Sequence, residues 1–254
     1  MTFCALSSAK GMDIKMIEIK EINKFYKNRQ VLFDFSTKID LNKNSIWGVL
    51  GPNGAGKTTF IKVLTGLLEY STGAIEVDGS KNYLEWCKKN VVLIPAGERG
   101  IRYKNTVYDN IMFFAAMKGV KEKKVKILIR QFSSILNFEG FLERRVETLS
   151  MGEKKKAMLL CGLCTDMKVL IMDEPSNGLD IDSQVEMKNL IQYLATRYQK
   201  TFIVSSHDLE FLNEMVDHYI FLFNGKNMGE IQGAKGIDEV RNIYMAKKRL
   251  VKNK

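Results

Sequence analysis

Apolar and polar positions alternate near the start of the chain, in residues 16–22 and again in residues 30–39. Successive side chains of a strand point to opposite faces, so this period of two predicts strands with one buried face and one exposed face. We expect the two segments to be antiparallel strands that form an N-terminal β-subdomain ahead of the remaining sheet.

Short runs that are apolar throughout follow, and they are typical of parallel strands covered on both faces. These runs occupy residues 45–50, 90–95, 169–172, 201–206 and 219–223. A further short strand is expected between the turns of residues 71–79. We take residues 219–223 as the last strand, closed by the turn at Asn224 and Gly225.

Segments with apolar residues at every third or fourth position separate these strands and predict helices. They cover about 60–70, 106–137, 149–164 and 183–198. Alternating strands and helices indicate an α/β fold with a mostly parallel core sheet flanked by helices. The region from about 97 to 165 contains helical segments only, which predicts an inserted α-helical subdomain.

Length and composition limit the number of domains and the class of protein that the chain can form. A chain of 254 residues, 45% of them hydrophobic, is long enough for one large domain, which we place at residues 16–233. Residues 1–15 are expected to be a disordered leader, and residues 234–254 a short basic tail. No apolar run approaches the roughly 20 residues that a membrane-spanning helix needs.

The net charge of +10 is compatible with three arrangements. A solvated lysine-rich surface is the default, and a position beside an anionic membrane is the second; nucleic-acid binding is not expected, because no aromatic residues interleave with the lysines. The cysteines fit a reducing cytoplasm. Cys161 and Cys164 lie in an apolar helical segment and are interpreted as small buried residues, with a redox or metal site as the alternative.

The chemistry concentrates in a glycine-rich loop between an apolar strand and a helix, with the spacing G-x-x-x-x-G-K-[ST]. Glycines let successive N–H groups point inward, and the helix N-terminus adds partial positive charge, so the pattern predicts a phosphate-binding loop. Lys57 is expected to reach the β- and γ-phosphates, and Thr58 to bind Mg²⁺. The predicted nucleotide-binding residues here are Gly51, Pro52, Asn53, Gly54, Ala55, Gly56, Lys57, Thr58 and Thr59.

Polar side chains also follow two later apolar strands. Asp173 and Glu174 end one strand, and His207 ends the next. Open α/β sheets bind ligands at the carboxyl ends of their strands, so we expect Asp173 to hold, through a water molecule, the Mg²⁺ that Thr58 also binds, and Glu174 to polarise the attacking water. His207 is expected to donate a hydrogen bond to the γ-phosphate or to that water. A strand-capping acidic pair and a structural histidine are the plainer interpretations.

These motifs, in this order and at this spacing, resemble the ATP-binding subunit of ABC transporters from about residue 16 to residue 233. The loop matches the family's GPNGAGKTT sequence, and residues 149–153 resemble its LSGGQ signature. Residues 169–175 match the Walker B strand with the catalytic glutamate, and residues 176–180 match the D-loop. His207 corresponds to the switch histidine.

The resemblance implies a fold, two cofactors and partners. The fold is a P-loop NTPase of the ABC type, and the cofactors are ATP and Mg²⁺. Tyr26 is the aromatic residue expected to stack on the adenine of ATP. Two subunits, expected to be identical, pair head to tail, so that Ser150, Gly152 and Glu153 of one contact the ATP held by the other. The pair drives separate membrane permease subunits from the inner face of the cell membrane. The segment at 106–119 and the compact helical lobe favour the exporter-like members.

Three positions depart from the family pattern. Met151 stands where glycine is usual, which preserves a phosphate contact by the backbone N–H only if its φ is negative. Glu153 replaces glutamine and brings a carboxylate near phosphates, where Lys154 and its neighbours could compensate. After the strand at 90–95, the family has glutamine or glutamate, and Glu98 is the candidate here.

These departures leave two alternatives to a transporter ATPase. One is a soluble ABC ATPase without a permease, for instance one that serves iron–sulfur cluster assembly, because that group shares the Glu153-Lys154 form of the signature. The other is a regulator that binds nucleotide and hydrolyses it weakly.

Overall fold

Two sheets form the scaffold in the computed structural model, which describes residues 16–41, 45–97, 100–233 and 236–252. Within these ranges the strands are β1 (Met16–Tyr26), β2 (Arg29–Asp40), β3 (Ile46–Leu50), β4 (Thr72–Val77), β5 (Val91–Ile94), β6 (Val169–Asp173), β7 (Thr201–Ser206), β8 (His218–Phe223) and β9 (Lys226–Gln232). The helices are α1 (Lys57–Leu64), α2 (Tyr83–Asn90), α3 (Val107–Met117), α4 (Glu122–Ile135), α5 (Met151–Leu163), α6 (Ile181–Tyr198), α7 (Leu209–Leu212) and α8 (Ile237–Lys252).

The smaller sheet has the order β2-β1-β4, and β1 runs antiparallel to both neighbours. Its inward side chains include Ile17, Ile19 and Phe35, all almost fully buried. Phe35 packs on Phe60 of α1 with ring centroids 4.4 Å apart, so this sheet covers the helix that follows the glycine loop. The predicted N-terminal antiparallel subdomain is confirmed.

The larger sheet has the order β5-β6-β7-β3-β8-β9. All neighbours run parallel except β8 and β9, which are antiparallel. The middle strands β3, β6 and β7 are buried along their whole length, with one hydrophobic cluster on each face of the sheet. The predicted mostly parallel sheet flanked by helices is therefore confirmed, and the carboxyl ends of β3, β6 and β7 meet at one edge.

A helical lobe is inserted between β5 and β6, as predicted, and it consists of α3, α4, α5 and two short 3-10 turns in the part of it that the structure describes. Thr106 and Asp109 form a capping box at the start of α3. The buried amide of Asn110 holds the preceding loop: it accepts from Arg102 N at 2.8 Å, and donates to Arg102 O at 3.0 Å and to Thr106 O at 2.8 Å.

Several predicted boundaries are wrong for local physical reasons. Helix α1 ends at Leu64 rather than near residue 70, because Gly66 adopts φ +70° and turns the chain. Residues 219–223 are not the last strand: β9 follows the Asn224-Gly225 turn. Only Ile231 of β9 is buried, so this edge strand lacks a clear hydrophobic pattern.

Helices α2, α7 and α8 were not predicted. The residues expected to be a short basic tail contain α8, which buries Val240 and packs Tyr244 on Phe223 of β8 with ring centroids 5.1 Å apart. The expected leader at 1–15 lies outside the described residues, as does residue 98.

Replacing Asn110 with alanine should destabilise the protein by about 2–4 kcal/mol, because two backbone groups of Arg102 and one of Thr106 lose a buried partner. Urea unfolding measures the change. Asn189→Ala, on the exposed face of α6, is the matched control and should shift the free energy of unfolding by less than about 0.5 kcal/mol. Equal effects of the two substitutions would contradict the structural role of Asn110.

Candidate functional site

The glycine loop occupies the turn from β3 into α1 and is held against β7 and β8. Gly51 N donates to Ser206 O at 3.3 Å, and a Cβ at Gly51 would lie 2.1 Å from Leu222 O, so only glycine fits there. Gly56, with φ +105°, is the N-cap residue of α1. The loop thus curls over the N-terminus of a helix, the geometry that suits an anion.

One hairpin residue supports the loop from outside. Gly225, in the β8–β9 turn, donates from its N to Ala55 O at 2.8 Å, and its carbonyl oxygen accepts from Phe33 N at 2.9 Å. A Cβ at Gly225 would lie 2.0 Å from Val31 O. The loop, the hairpin and the smaller sheet therefore meet at this residue.

Lys57 is the first residue of α1, and its side chain folds back over the loop. The residue is only 6% exposed. Its ammonium donates to Gly51 O at 2.8 Å and to Pro52 O at 3.1 Å, and lies 3.0 Å from Glu174 Oε1. The structure thus places the cation of the loop beside the carboxylate that follows β6.

Asp173 and Thr58 bring two oxygens together at the end of β6. Thr58 Oγ1 donates to Asp173 Oδ2 at 2.8 Å, and Ser205 Oγ donates to Asp173 Oδ1 at 2.5 Å. Ligands of an octahedral Mg²⁺ at 2.0–2.1 Å lie about 2.9 Å apart when adjacent, and Mg²⁺ prefers oxygen. The Thr58 and Asp173 pair fits the ion in chemistry and spacing.

Glu174 adopts φ +47°, and its N–H donates to Ser205 Oγ at 3.1 Å. Its second carboxylate oxygen, Oε2, lies 2.8 Å from His207 Nδ1 at the end of β7. Paired with an ionised carboxylate, which only accepts, Nδ1 would carry the proton, and Nε2 lies on the other side of the ring. Lys57, Glu174 and His207 thus form one continuous chain of contacts.

Ser205 belongs to this cluster, and the sequence reasoning missed it. It is fully buried, donates to Asp173 and accepts from the backbone of Glu174. A hydroxyl inside the apolar strand at 201–206 is the signal that could have identified it, since a buried polar group needs a partner.

Tyr26 lies at the end of β1 on the hairpin that leads into β2. Its ring is 44% exposed, and the ammonium of Lys24 lies 5.4 Å from the ring centroid. Val31 O of β2 would lie 3.3 Å from a Cβ at Gly56, so the hairpin borders the loop and leaves the ring accessible for stacking.

Ser150, Gly152 and Glu153 lie together at the start of α5, where their described contacts are with one another and with α6. Ser150 N donates to Glu153 Oε2 at 2.7 Å, and Glu153 N donates to Ser150 Oγ at 3.3 Å, which is a capping box. A Cβ at Gly152 would lie 3.2 Å from Ser183 Oγ of α6. The carboxylate of Glu153 is therefore engaged by its own helix end.

The substitution of glycine by Met151 is compatible with this helix end, because Met151 is a regular helical residue and its φ is negative. The possible role of Glu98 falls outside the described residues.

Cys161 and Cys164 are buried free thiols, and burial raises the pKa of Cys164 to about 12, so this thiol stays protonated at neutral pH.

The two-sheet scaffold, the inserted helical lobe and the glycine loop define a P-loop NTPase of the cassette type. Residues 36–177 match the sequence profile of the family described as "ABC transporter". The chain belongs to this family, as an ATP-binding subunit.

Two relatives are named as ATP-binding proteins of transporters, and one solved structure has the same fold. The chain is 30% identical over 216 residues to "ABC transporter ATP-binding protein NatA" of Bacillus subtilis, covering 82% of this chain and 87% of that protein. It is 30% identical over 231 residues to "Lantibiotic transport ATP-binding protein SrtF" of Streptococcus pyogenes, covering 89% and 96%. The structure of cbiO1 from Clostridium perfringens, part of the cbiONQ complex, superposes with a TM-score of 0.78 at 22% identity, covering 93% and 94%.

Replacing Lys57 with alanine should raise the dissociation constant for ATP by about tenfold or more, because charge-assisted hydrogen bonds to phosphate are lost. Fluorescence titration with a labelled ATP analogue measures the constant. Lys62→Ala is the control, since Lys62 is exposed on the same helix. Similar dissociation constants for Lys57→Ala and the unmodified protein would contradict the assignment of Lys57.

Proposed function

We propose that this chain hydrolyses ATP with Mg²⁺ and powers a membrane transporter as one of a pair of identical subunits. The chain of contacts from Lys57 through Glu174 to His207 carries the proposal. It aligns a cation for phosphate, a carboxylate for water and an orienting imidazole at the edge where three parallel strands end.

Each residue has a distinct role in the proposed reaction. Lys57 and the loop N–H groups neutralise the phosphates, and Thr58 and Asp173 would hold the Mg²⁺, which supplies further neutralisation of phosphate charge when bound. Glu174 accepts the proton of the attacking water, and His207 holds the carboxylate in place through Nδ1. Ser205 fixes the carboxylate of Asp173 and the backbone of Glu174 by bonding both.

The start of α5 supports the use of a second subunit. Within one chain, Gly152 lies beside Ser183 of α6. Gly152 belongs to the first turn of α5, at a helix N-terminus, where an anion is favoured. In a head-to-tail pair, the phosphates bound at one loop would meet this helix end from the other subunit, so a monomer holds half of each site.

A groove between the β5 edge and the helical lobe supports a permease partner. Its volume is about 370 Å³, and its lining is mostly apolar. The lining includes Leu67, Val92, Pro95, Ile101, Phe114 and Met158. Among the described residues no helix is both long and apolar enough to cross a bilayer. The groove would offer a permease an apolar docking surface, at the inner face of the membrane.

Replacing Glu174 with glutamine should reduce the rate of ATP hydrolysis about 100-fold or more while ATP still binds, because the amide cannot take the proton of water. Steady-state phosphate release and ATP titration measure the two quantities. Glu139→Gln, at an exposed position of the helical lobe, is the control and should keep the unmodified rate. Equal rates for Glu174→Gln and the unmodified protein would contradict the proposed hydrolysis.

The permease is tested by membrane co-purification and by the neighbouring gene. A neighbouring gene that encodes about six spans of roughly 20 apolar residues is expected. Leu67 is 68% exposed at the groove, so Leu67→Asp should release the chain from the membrane fraction, whereas Ile127→Asp on α4 should not. Co-purification with soluble proteins alone would favour the ABC ATPases that act without a permease.

A further inference from the structure

Met151 connects the start of α5 to the D-loop at residues 176–180. A Cβ at Gly178 would lie 3.5 Å from Met151 Cγ, 3.7 Å from Cε and 3.9 Å from Sδ, and these are the three nearest atoms. Met151 remains 38% exposed. Its side chain therefore borders the open side of Gly178 in the D-loop of its own chain, a position that a glycine at residue 151 would leave empty.

The D-loop in turn is joined to the catalytic carboxylate residue. Asn177 N donates to Glu174 O at 3.3 Å, and Leu179 N donates to Ser176 O at 3.1 Å. Gly178 has φ +80° at the turn. A displacement of Gly178 would therefore change the backbone of Glu174 through two hydrogen-bonded turns.

Other neighbouring residues join α5 to α6. Lys156 of α5 pairs with Glu186 of α6 at 2.6 Å, and Gly152 lies against Ser183. These contacts hold α5 to the body of α6. Met151 is different, because its side chain rests on the D-loop itself, ahead of α6.

We propose that Met151 is a positioning residue that transmits the position of the helical lobe to the D-loop, and through it to Glu174. The proposal rests on the proposed ATP hydrolysis. The Met151 side chain limits how far Gly178 can move toward α5, so a shift of α5 changes the room available to the D-loop. The residue that departs from the signature pattern would then be a coupling element and not a defect.

The test compares Met151→Ala, which removes the three Met151 atoms that border the open side of Gly178, with Met151→Leu, which retains Cγ. Hydrogen–deuterium exchange of the Asn177 and Leu179 amides should become about threefold faster in the alanine variant, because the loop opens more often. The kcat for ATP should fall about fivefold with KM within about twofold, since the glycine loop and Tyr26 are untouched. The leucine variant should restore both quantities.

Met117→Ala, at the exposed end of α3 in the same lobe, is the control and should change neither quantity. Unchanged exchange in Met151→Ala, or faster exchange with unchanged kcat, would overturn the proposal, and so would a leucine variant that behaves like alanine. If the unmodified protein hydrolyses no faster than Glu174→Gln, the proposed hydrolysis fails instead, and the exchange experiment alone decides whether Met151 holds the D-loop.

Discussion

The buried ion pair between Lys57 and Glu174 is the interaction on which the site depends. Both side chains are almost completely removed from solvent, and each charge would be costly there alone. Their partners offset this cost: loop carbonyls accept from the lysine, and His207 contacts the glutamate. Because the two residues come from different strand–helix connections, the pair exists only when β3 and β6 stand in the correct parallel order with β7 between them.

Patterns with a clear period could be predicted from the sequence, and those without one could not. The strand at 45–50 and the loop after it combine an apolar run with fixed glycine spacing, and both were predicted. Helix α8 also has a clear amphipathic period, and it was overlooked because the lysine-rich composition of residues 234–254 suggested a tail. Strand β9 buries only Ile231 and lacks a clear pattern, so packing against β8 decides its structure. Propensity alone carries little information in such segments.

The residues of the candidate site also divide into those that the sequence predicts and those that it does not. Asp173 and Glu174 were predicted because adjacent carboxylates after an apolar strand are conspicuous. Ser205 was missed because its importance comes from β6 lying beside β7, which sequence spacing does not reveal. The capping role of Glu153 could have been predicted, because serine followed three residues later by glutamate is a capping-box pattern, and this role explains why the carboxylate bonds the N–H of Ser150.

Gly225 supports the glycine loop from a second side. The loop is usually described by its own glycines, yet part of its outer wall is the turn of the edge hairpin. Strand β9 is the edge strand of the larger sheet, and no strand in the described part of the chain pairs with its outer side. Asn227 of β9 donates to Ser36 O of β2 at 2.7 Å, so the smaller sheet also holds this hairpin. A movement of β9 would therefore act on the shape of the loop through a single peptide group, from the side opposite the helical lobe.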